Sequence, residues 1–308
     1  MNISFQSVSL YGPTIHSNFK ILPFPQSSPM SSEPCLIDKP LLCLQTASCM
    51  KIVGNIHLFE IGQETGVLSK PAFIINDIEK TVDLIKTVAE FYSPLNLIEE
   101  ARLVLIAQQL GYSPAQLAIE ILPVLNYPPQ KKFVEKLLEL NKLPEALQLF
   151  IVEKNISLKR TQVLQRIENH SDWAKYFLET YTPGLNVFLE IIQNLWEISK
   201  RDDIAIHELL QKYIPLHAIP DSTHIKIELQ TIRQRIHENR YPLLSDSRRK
   251  LETAIKDIQK YYPIKIDYDP NFEVQGVNIL THINDNDALK SFINCLEHDD
   301  FRKLFEMI

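Results

Sequence analysis

Residues 89–118, AEFYSPLNLIEEARLVLIAQQLGYSPAQLA, decide how the rest of the chain reads, because helix starts and stops are spelled out within them. Pro94 breaks a preceding helix, since its ring removes a donor and clashes with the carbonyl one turn back. Asn96 caps the next one, LIEEARLVLIAQQL, whose Glu99 and Glu100 suit the positive end of the helix dipole, and Gly111 stops it. Ser113 then caps PAQLAIEIL, with Pro114 at the first helical position, where its missing N–H costs nothing.

The same punctuation continues on both sides. Upstream, Asp77 is placed to cap a helix from Ile78 to about Phe91, with Val82, Ile85 and Ala89 on one face. Downstream, the turn PVLNYPP leads into QKKFVEKLLELNK; Pro144 opens EALQLFIVEK, and Ser157 caps LKRTQVLQRIE. Short helices with short connections predict a compact bundle rather than a coiled coil. With TPGLNVFLEIIQNLWEIS and IAIHELLQKYI, this bundle takes in residues 78–214. Phe177, Tyr181, Phe188 and Trp196 recur at helical spacing and read as packing.

The remainder divides into three parts. Residues 1–34, rich in Ser, Pro and Asn, read as a mobile segment in which only Phe19–Leu22 resembles a strand. Residues 35–77 carry the extended runs PLLCLQ, MKIVGN and PAFIIN around a short helix, a small α+β unit. After a linker bracketed by Pro215 and Pro220, residues 215–308 predict helices near 222–238 and 245–261, two strands (IKIDYD and EVQGVNILTHI), then helices at 286–297 and 299–306. The fold class is mainly α with small α+β units.

The 308 residues are enough for two domains at about one per 150. Glycine occurs only 7 times, and neither GxGxxG nor GxxxxGK[ST] is present, which excludes the two commonest phosphate cradles. A net charge of −6 is the wrong sign for a surface that clings everywhere to nucleic acid or anionic lipid, so any such contact is a local patch. Cys35, Cys43, Cys49 and Cys295 match no zinc or disulfide spacing and read as reduced thiols. No secretory leader or bilayer-length apolar run is evident, so a cytoplasmic location and no membrane partner are expected. No HExxH or GxSxG occurs, and no metal site is expected. The pairs Asp267/Asp269 and Asp285/Asp287 read as turns, and Asp299/Asp300 as a helix start.

YSPAQLA, a turn and QKKFVEKLLELNKLP have the order of a helix-turn-helix. Lys131, Lys132 and Lys136 lie on the side of the second helix opposite Phe133, Leu137, Leu138 and Leu140, and can neutralise phosphates without reading sequence. Gln130 is the neighbour suited to a base edge. Against this, Glu135 and Glu139 at helical spacing make a solvated charged face, and the turn is long and lacks glycine.

Residues 89–118 resemble a segment of ParB partition proteins, ENxQRxxLNPIEEA followed by a helix and a polar cap. LELNKLPEALQLFIVEKNISLKRTQVLQRI (138–167) is similar to that family's LLRLxKLPxxVQxLLxxGxLSxxHAxALL. The likeness spans roughly residues 40–180. It implies a ParB-like N-terminal unit, a helix-turn-helix bundle and a C-terminal assembly module. It further implies a non-enzymatic role binding and scaffolding DNA in plasmid or chromosome partition or gene control, a ParA-like ATPase partner and a homodimer. The family binds nucleotide phosphates and magnesium through a GxRR box and the ENxQR segment. Here those boxes read Gly54, Asn55, Ile56, His57 and Glu90, Phe91, Tyr92, Ser93, so both arginines of the first box and the Asn and Arg of the second are replaced. Arginine offers a permanent planar fork for phosphate that neither Ile56 nor His57 reproduces, and no CTP or other cofactor is expected. The alternative is a protein-interaction adaptor of ParB architecture that has lost both ligands. Nuclease or phosphotransferase activity of the wider superfamily is not expected, because no paired carboxylates or phosphate-gripping arginines stand at the relevant turn of this chain.

Overall fold

The apolar runs between residues 35 and 77 form strands, and the N-terminal residues add two more. The computed structural model describes residues 2–10, 12–19, 40–76, 80–214, 224–270, 272–274 and 276–306. A mixed five-stranded sheet takes β1 (Asn2–Ser9), β2 (Thr14–Ile15), β3 (Leu41–Gln45), β4 (Met50–Gly54) and β5 (Ser69–Asn76) in the order β1-β5-β3-β4-β2. β1 runs antiparallel to β5, and β3 runs parallel to it. The helix α1 (Ile56–Glu64) connects β4 to β5 and buries Ile56, Leu58 and Phe59.

β1 corrects the expectation of a mobile segment for residues 2–9, while residues 20–34 lie outside the described residues. Its apolar residues break the two-residue alternation: Ile3 and Phe5 are exposed while Val8 is buried, so no period marks the strand. Its register comes from β5, with Asn2 opposite Asn76 and Ser9 opposite Ser69, a pairing that local sequence does not announce. Phe19 sits buried in a single 3-10 turn, Ser17–Phe19, rather than in a strand. The Asp77 cap, the 215–220 linker and Cys35 lie outside the described residues.

The helices divide between two units, one of the described residues up to Gln193 and one from Asn194 onward. In the first, α2 (Thr81–Tyr92) and α3 (Leu97–Gln109) follow the sheet. α3 starts with a capping box: Asn96 Oδ1 accepts from the Ile98 and Glu99 N–H groups, and Glu99 Oε2 accepts from Asn96 N–H at 2.9 Å. Gly111 follows it at φ 99°. Ser113 and Gln116 form a second capping box at α4 (Pro114–Gln116).

PAQLAIEIL does not continue as an α-helix: a π-helical stretch, Leu117–Ile121, and a 3-10 turn, Leu122–Leu125, follow. Pro123 has no N–H to donate and crowds the preceding turn, which makes the i→i+4 ladder unsustainable there. Next come α5 (Lys131–Leu140), α6 (Glu145–Glu153), α7 (Leu158–Thr161) with a 3-10 turn at Leu164–Ile167, and α8 (Ser171–Tyr181). α7 is shorter than LKRTQVLQRIE predicts. Ser157 makes no side-chain cap bond, and the Thr161 hydroxyl donates back to Leu158 C=O at 2.9 Å, competing with the helix ladder. Phe177, Tyr181 and Phe188 are buried; Phe177 stacks on Trp173 at 5.0 Å and on Phe188 at 5.7 Å. Trp196 is half-buried.

α9 (Leu185–Asp202) passes into the second unit, which continues with α10 (Ile206–Tyr213), α11 (Ile225–Arg240) and α12 (Pro242–Tyr261). Arg240 donates to the buried Asn194 Oδ1 and pairs with Glu197. Arg201 Nη1 donates to Asn239 C=O and Arg240 C=O at 2.8 Å each, closing the end of α11. The antiparallel pair β6 (Ile264–Tyr268) and β7 (Val277–Thr281) packs with α12, α13 (Asn286–Glu297) and α14 (Asp299–Glu306). Their shared core holds Leu251, Ile255, Ile258, Ile264, Ile266, Cys295, Phe301 and Leu304. Asp269 and Asp285 stand in the expected turns, Asp269 Oδ2 accepting from Glu273 and Val274 N–H and Asp285 Oδ1 from Ala288 N–H; Asp267 lies instead on β6, paired with Lys265, and Asp287 in the first turn of α13.

Candidate nucleic-acid interface

α5 buries one side and exposes its first turn. Val134, Leu137 and Leu140 are buried, and α5 packs against α3, α7 and the π-helical stretch. Lys131 and Lys132 are exposed at its first turn, with Gln130 exposed at the capping position; Lys136, one turn on, is half-buried. The sequence expectation therefore holds for the first two lysines and is corrected for the third. Phe133 and Leu138, expected on the apolar side, are likewise only half-buried. Lys132 Nζ lies 5.3 Å from the Phe133 ring centroid, a cation–π contact that holds its stem along the helix.

The turn before α5 does what a glycine does elsewhere. Asn126 has φ 61° and ψ 27°, left-handed values that asparagine tolerates better than other side chains bearing a Cβ. The N–H groups of Asn126 and Tyr127 donate to Pro123 C=O and Leu122 C=O. The missing glycine thus carries no weight against a helix-turn-helix.

Polar clasps fix the orientation of α5. Tyr127 Oη donates to Glu100 Oε2 at 2.5 Å. Asn141 Nδ2 donates to Ala101 C=O at 3.0 Å and to Leu137 C=O at 3.2 Å. Gln165 Nε2 donates to Glu139 Oε2 at 2.6 Å, so Glu139 faces a neighbour rather than pairing with the lysines. Burial pushes the Glu100 carboxyl up, the Tyr127 bond opposes that, and the Glu99 charge adds to it; burial foremost, then Glu100, pushes the Tyr127 phenol up. α7, which packs on α5, adds the exposed Lys159 and Arg160, the latter donating to Asn186 Oδ1 at 2.7 Å. Apart from the Asn141–Leu137 bond, these clasps escape sequence reading because each joins residues tens of positions apart.

The segments Gly54–His57 and Glu90–Ser93 do meet. Asn55, at φ 55°, donates its N–H to Tyr92 Oη at 2.6 Å and its Nδ2 to Pro40 C=O at 2.8 Å. Gly54 lies so close beneath Phe91 that a Cβ there would fall 3.1 Å from Phe91 Cε1 and 2.7 Å from Leu42 Cβ. The close approach accounts for the glycine. Burial pushes the Tyr92 phenol up to about 12, so it stays a neutral hydrogen-bonding partner. His57 is half-buried on α1, and Glu90 is exposed, 4.0 Å from Lys86. Glu90 rims a cleft of about 630 Å³ in which Lys86 is the one cation among the described lining residues and Glu100 a second carboxylate.

Among the described residues, no group of three or more His, Cys, Asp or Glu is placed to hold a metal, and no helix is long and apolar enough to cross a membrane. Cys43, Cys49 and Cys295 are free; burial pushes the Cys43 thiol up to about 12.

No family model and no curated protein matches the chain. Among solved structures it is similar to the C-terminally truncated chromosome-partitioning protein ParB from Caulobacter crescentus, complexed to the centromeric parS site. The identity is 14%, the match covers 56% of this chain and 91% of that one, and the TM-score is 0.26.

Proposed function

We propose that this chain is a non-enzymatic, ParB-like DNA-binding and scaffolding protein, acting in plasmid or chromosome partition or in gene control. The observation that carries the reading is the exposure of Gln130, Lys131 and Lys132 together at the first turn of α5, directly after the Asn126 turn, with the opposite face of the helix buried. Such a terminus sets ammonium groups against phosphates and a neutral amide against a base edge. Exposed ammonium groups that neutralise phosphates release condensed counterions, so affinity falls steeply with salt.

Phe91 and Tyr92 pack against Gly54 and Asn55, where the resemblance places nucleotide phosphates, and we read this as a nucleotide fold remnant that works without CTP. The implied homodimer would form through the C-terminal unit, and a ParA-like ATPase remains the partner the resemblance implies.

A binding series across salt with duplex DNA tests the central reading. Binding at low salt that weakens with salt, and is lost when Lys131, Lys132 and Lys136 all become Ala, supports it. No binding at low salt, or no loss in the triple variant, overturns it. A stable protein partner combined with DNA affinity no better than that of an unrelated acidic protein selects the adaptor.

A further inference from the structure

We propose that the exposed face of α12 is a second contact for the phosphate backbone of a nucleic-acid duplex, independent of sequence. The inference shares its partner with the reading of α5, and on that it rests, but its residues lie in the other unit.

Charge first sets this region apart. Between His224 and Tyr262 nine Lys and Arg stand against five Asp and Glu, a balance of +4 within a chain of −6, which leaves −10 for all other residues. A local excess against an acidic background is the footprint of a polyanion site.

The fold then puts part of that charge on one face. α12 has 20 residues, a rod of about 30 Å. Leu251, Ile255 and Ile258 are buried in the core of their unit, and this fixes which side looks outward. Arg249, Lys250, Lys256 and Lys260 are all exposed there, within an arc of about 120° at 100° per residue.

Two of these cations pair with exposed carboxylates. Arg249 lies 3.5 Å from Asp246 and Lys260 lies 2.8 Å from Asp257, both pairs between exposed side chains. Exposed pairs of this kind contribute little and exchange readily for phosphate. Lys250 and Lys256 are exposed and have no ion-pair partner among the described residues, so nothing must be broken to engage them.

A lipid surface fits this face less well. Interfacial helices insert large apolar side chains beside their basic ones. Here the residues between Asp246 and Lys260 on this face are charged or Thr253, and the exposed apolar side chains, Leu243 and Tyr261, stand at the two ends of the helix.

The test is fluorescence anisotropy of the full chain on a random-sequence duplex of about 30 base pairs across a salt series. Four proteins are compared: the parent, K250E/K256E, K250R/K256R and K131A/K132A. The charge reversal is expected to weaken binding at least about tenfold at low salt and to lower the slope of log K against log salt by about two, while the arginine variant keeps both. Circular dichroism confirms that the exposed substitutions leave the fold intact.

Unchanged affinity and slope in K250E/K256E overturn the inference, whatever K131A/K132A does. If K131A/K132A alone loses binding, the α5 reading stands and this one falls; loss in K250E/K256E alone gives the reverse. Tighter binding to phosphatidylserine vesicles than to the duplex, abolished by K250E/K256E, overturns the nucleic-acid assignment.

Discussion

Tyr127 donates its phenolic hydrogen to Glu100 at 2.5 Å, joining the turn that precedes α5 to the first turn of α3. The bond spans 27 residues and holds the lysine-bearing end of α5 at a fixed angle to its support. Tyr127→Phe keeps the ring and its 5.9 Å contact with Phe133 but leaves the half-buried carboxylate without its donor. A bond to a charged acceptor contributes about 1.5–3 kcal/mol, and the partial exposure of both groups puts the expected loss at the low end. Urea unfolding checks the loss, and a fall in DNA affinity larger than the fall in stability would show that the bond also positions α5.

The same carboxylate makes stability depend on pH. Burial raises the Glu100 pKa in the folded chain above its ordinary 4.5. The unfolded chain ionises the group at the lower value, so near neutrality folding carries the cost of a partly desolvated charge. That cost is relieved as pH falls through the raised value toward the ordinary one. Glu100→Gln removes the titration while keeping an acceptor for Tyr127. The stability of the parent relative to this variant is expected to increase from pH 7 to pH values just above 4.5, read from urea midpoints. A constant difference would place Glu100 in ordinary solvent.

Asn126 at φ 61° sets the direction of the chain into α5. Asn126→Gly removes the Cβ that crowds the left-handed region, whereas Asn126→Ala keeps the Cβ and loses the short amide side chain that makes the conformation tolerable, a cost of up to about 1–2 kcal/mol. Thermal unfolding is expected to rank Asn and Gly above Ala. If the turn orients the interface, the Ala variant also binds DNA more weakly than the Gly variant.

Two helix starts were legible because their chemistry is local, whereas the equally local Ser157 signal forms no cap bond. Asn96 with Glu99 and Ser113 with Gln116 announce their caps within four residues, and both capping boxes form. What stayed hidden was non-local or set by competition. β1 has no period of its own and exists through β5. Pro123 diverts a helix that its apolar pattern alone would continue. The outward aim of Lys131 and Lys132 followed from the period of α5, but the half-burial of Lys136 depends on neighbours that the helical period does not contain. The packing of Gly54 against Phe91 and of Asn55 against Tyr92 required knowing that two boxes 36 residues apart converge.

The C-terminal unit leaves apolar surface that a homodimer would cover. Leu289, Ile293 and Leu296 follow one another at helical spacing along α13 and are 41%, 47% and 38% exposed, while Phe292 on the same helix packs inward. Leu280 on β7 is exposed as well. Scattered exposed leucines need no explanation, but a continuous stripe on a helix is the kind of surface that a symmetric pair of chains buries against itself. Ile293→Asp puts a charge into that stripe without touching the core of the unit. If the stripe is the interface, the substitution is expected to weaken self-association by more than about tenfold, since a desolvated unpaired carboxylate costs several kcal/mol. Thermal unfolding of the dilute chain should be nearly unchanged. Sedimentation equilibrium reads the association, and a parent protein that stays monomeric at concentrations far above those in the cell would remove the dimer from the proposed function.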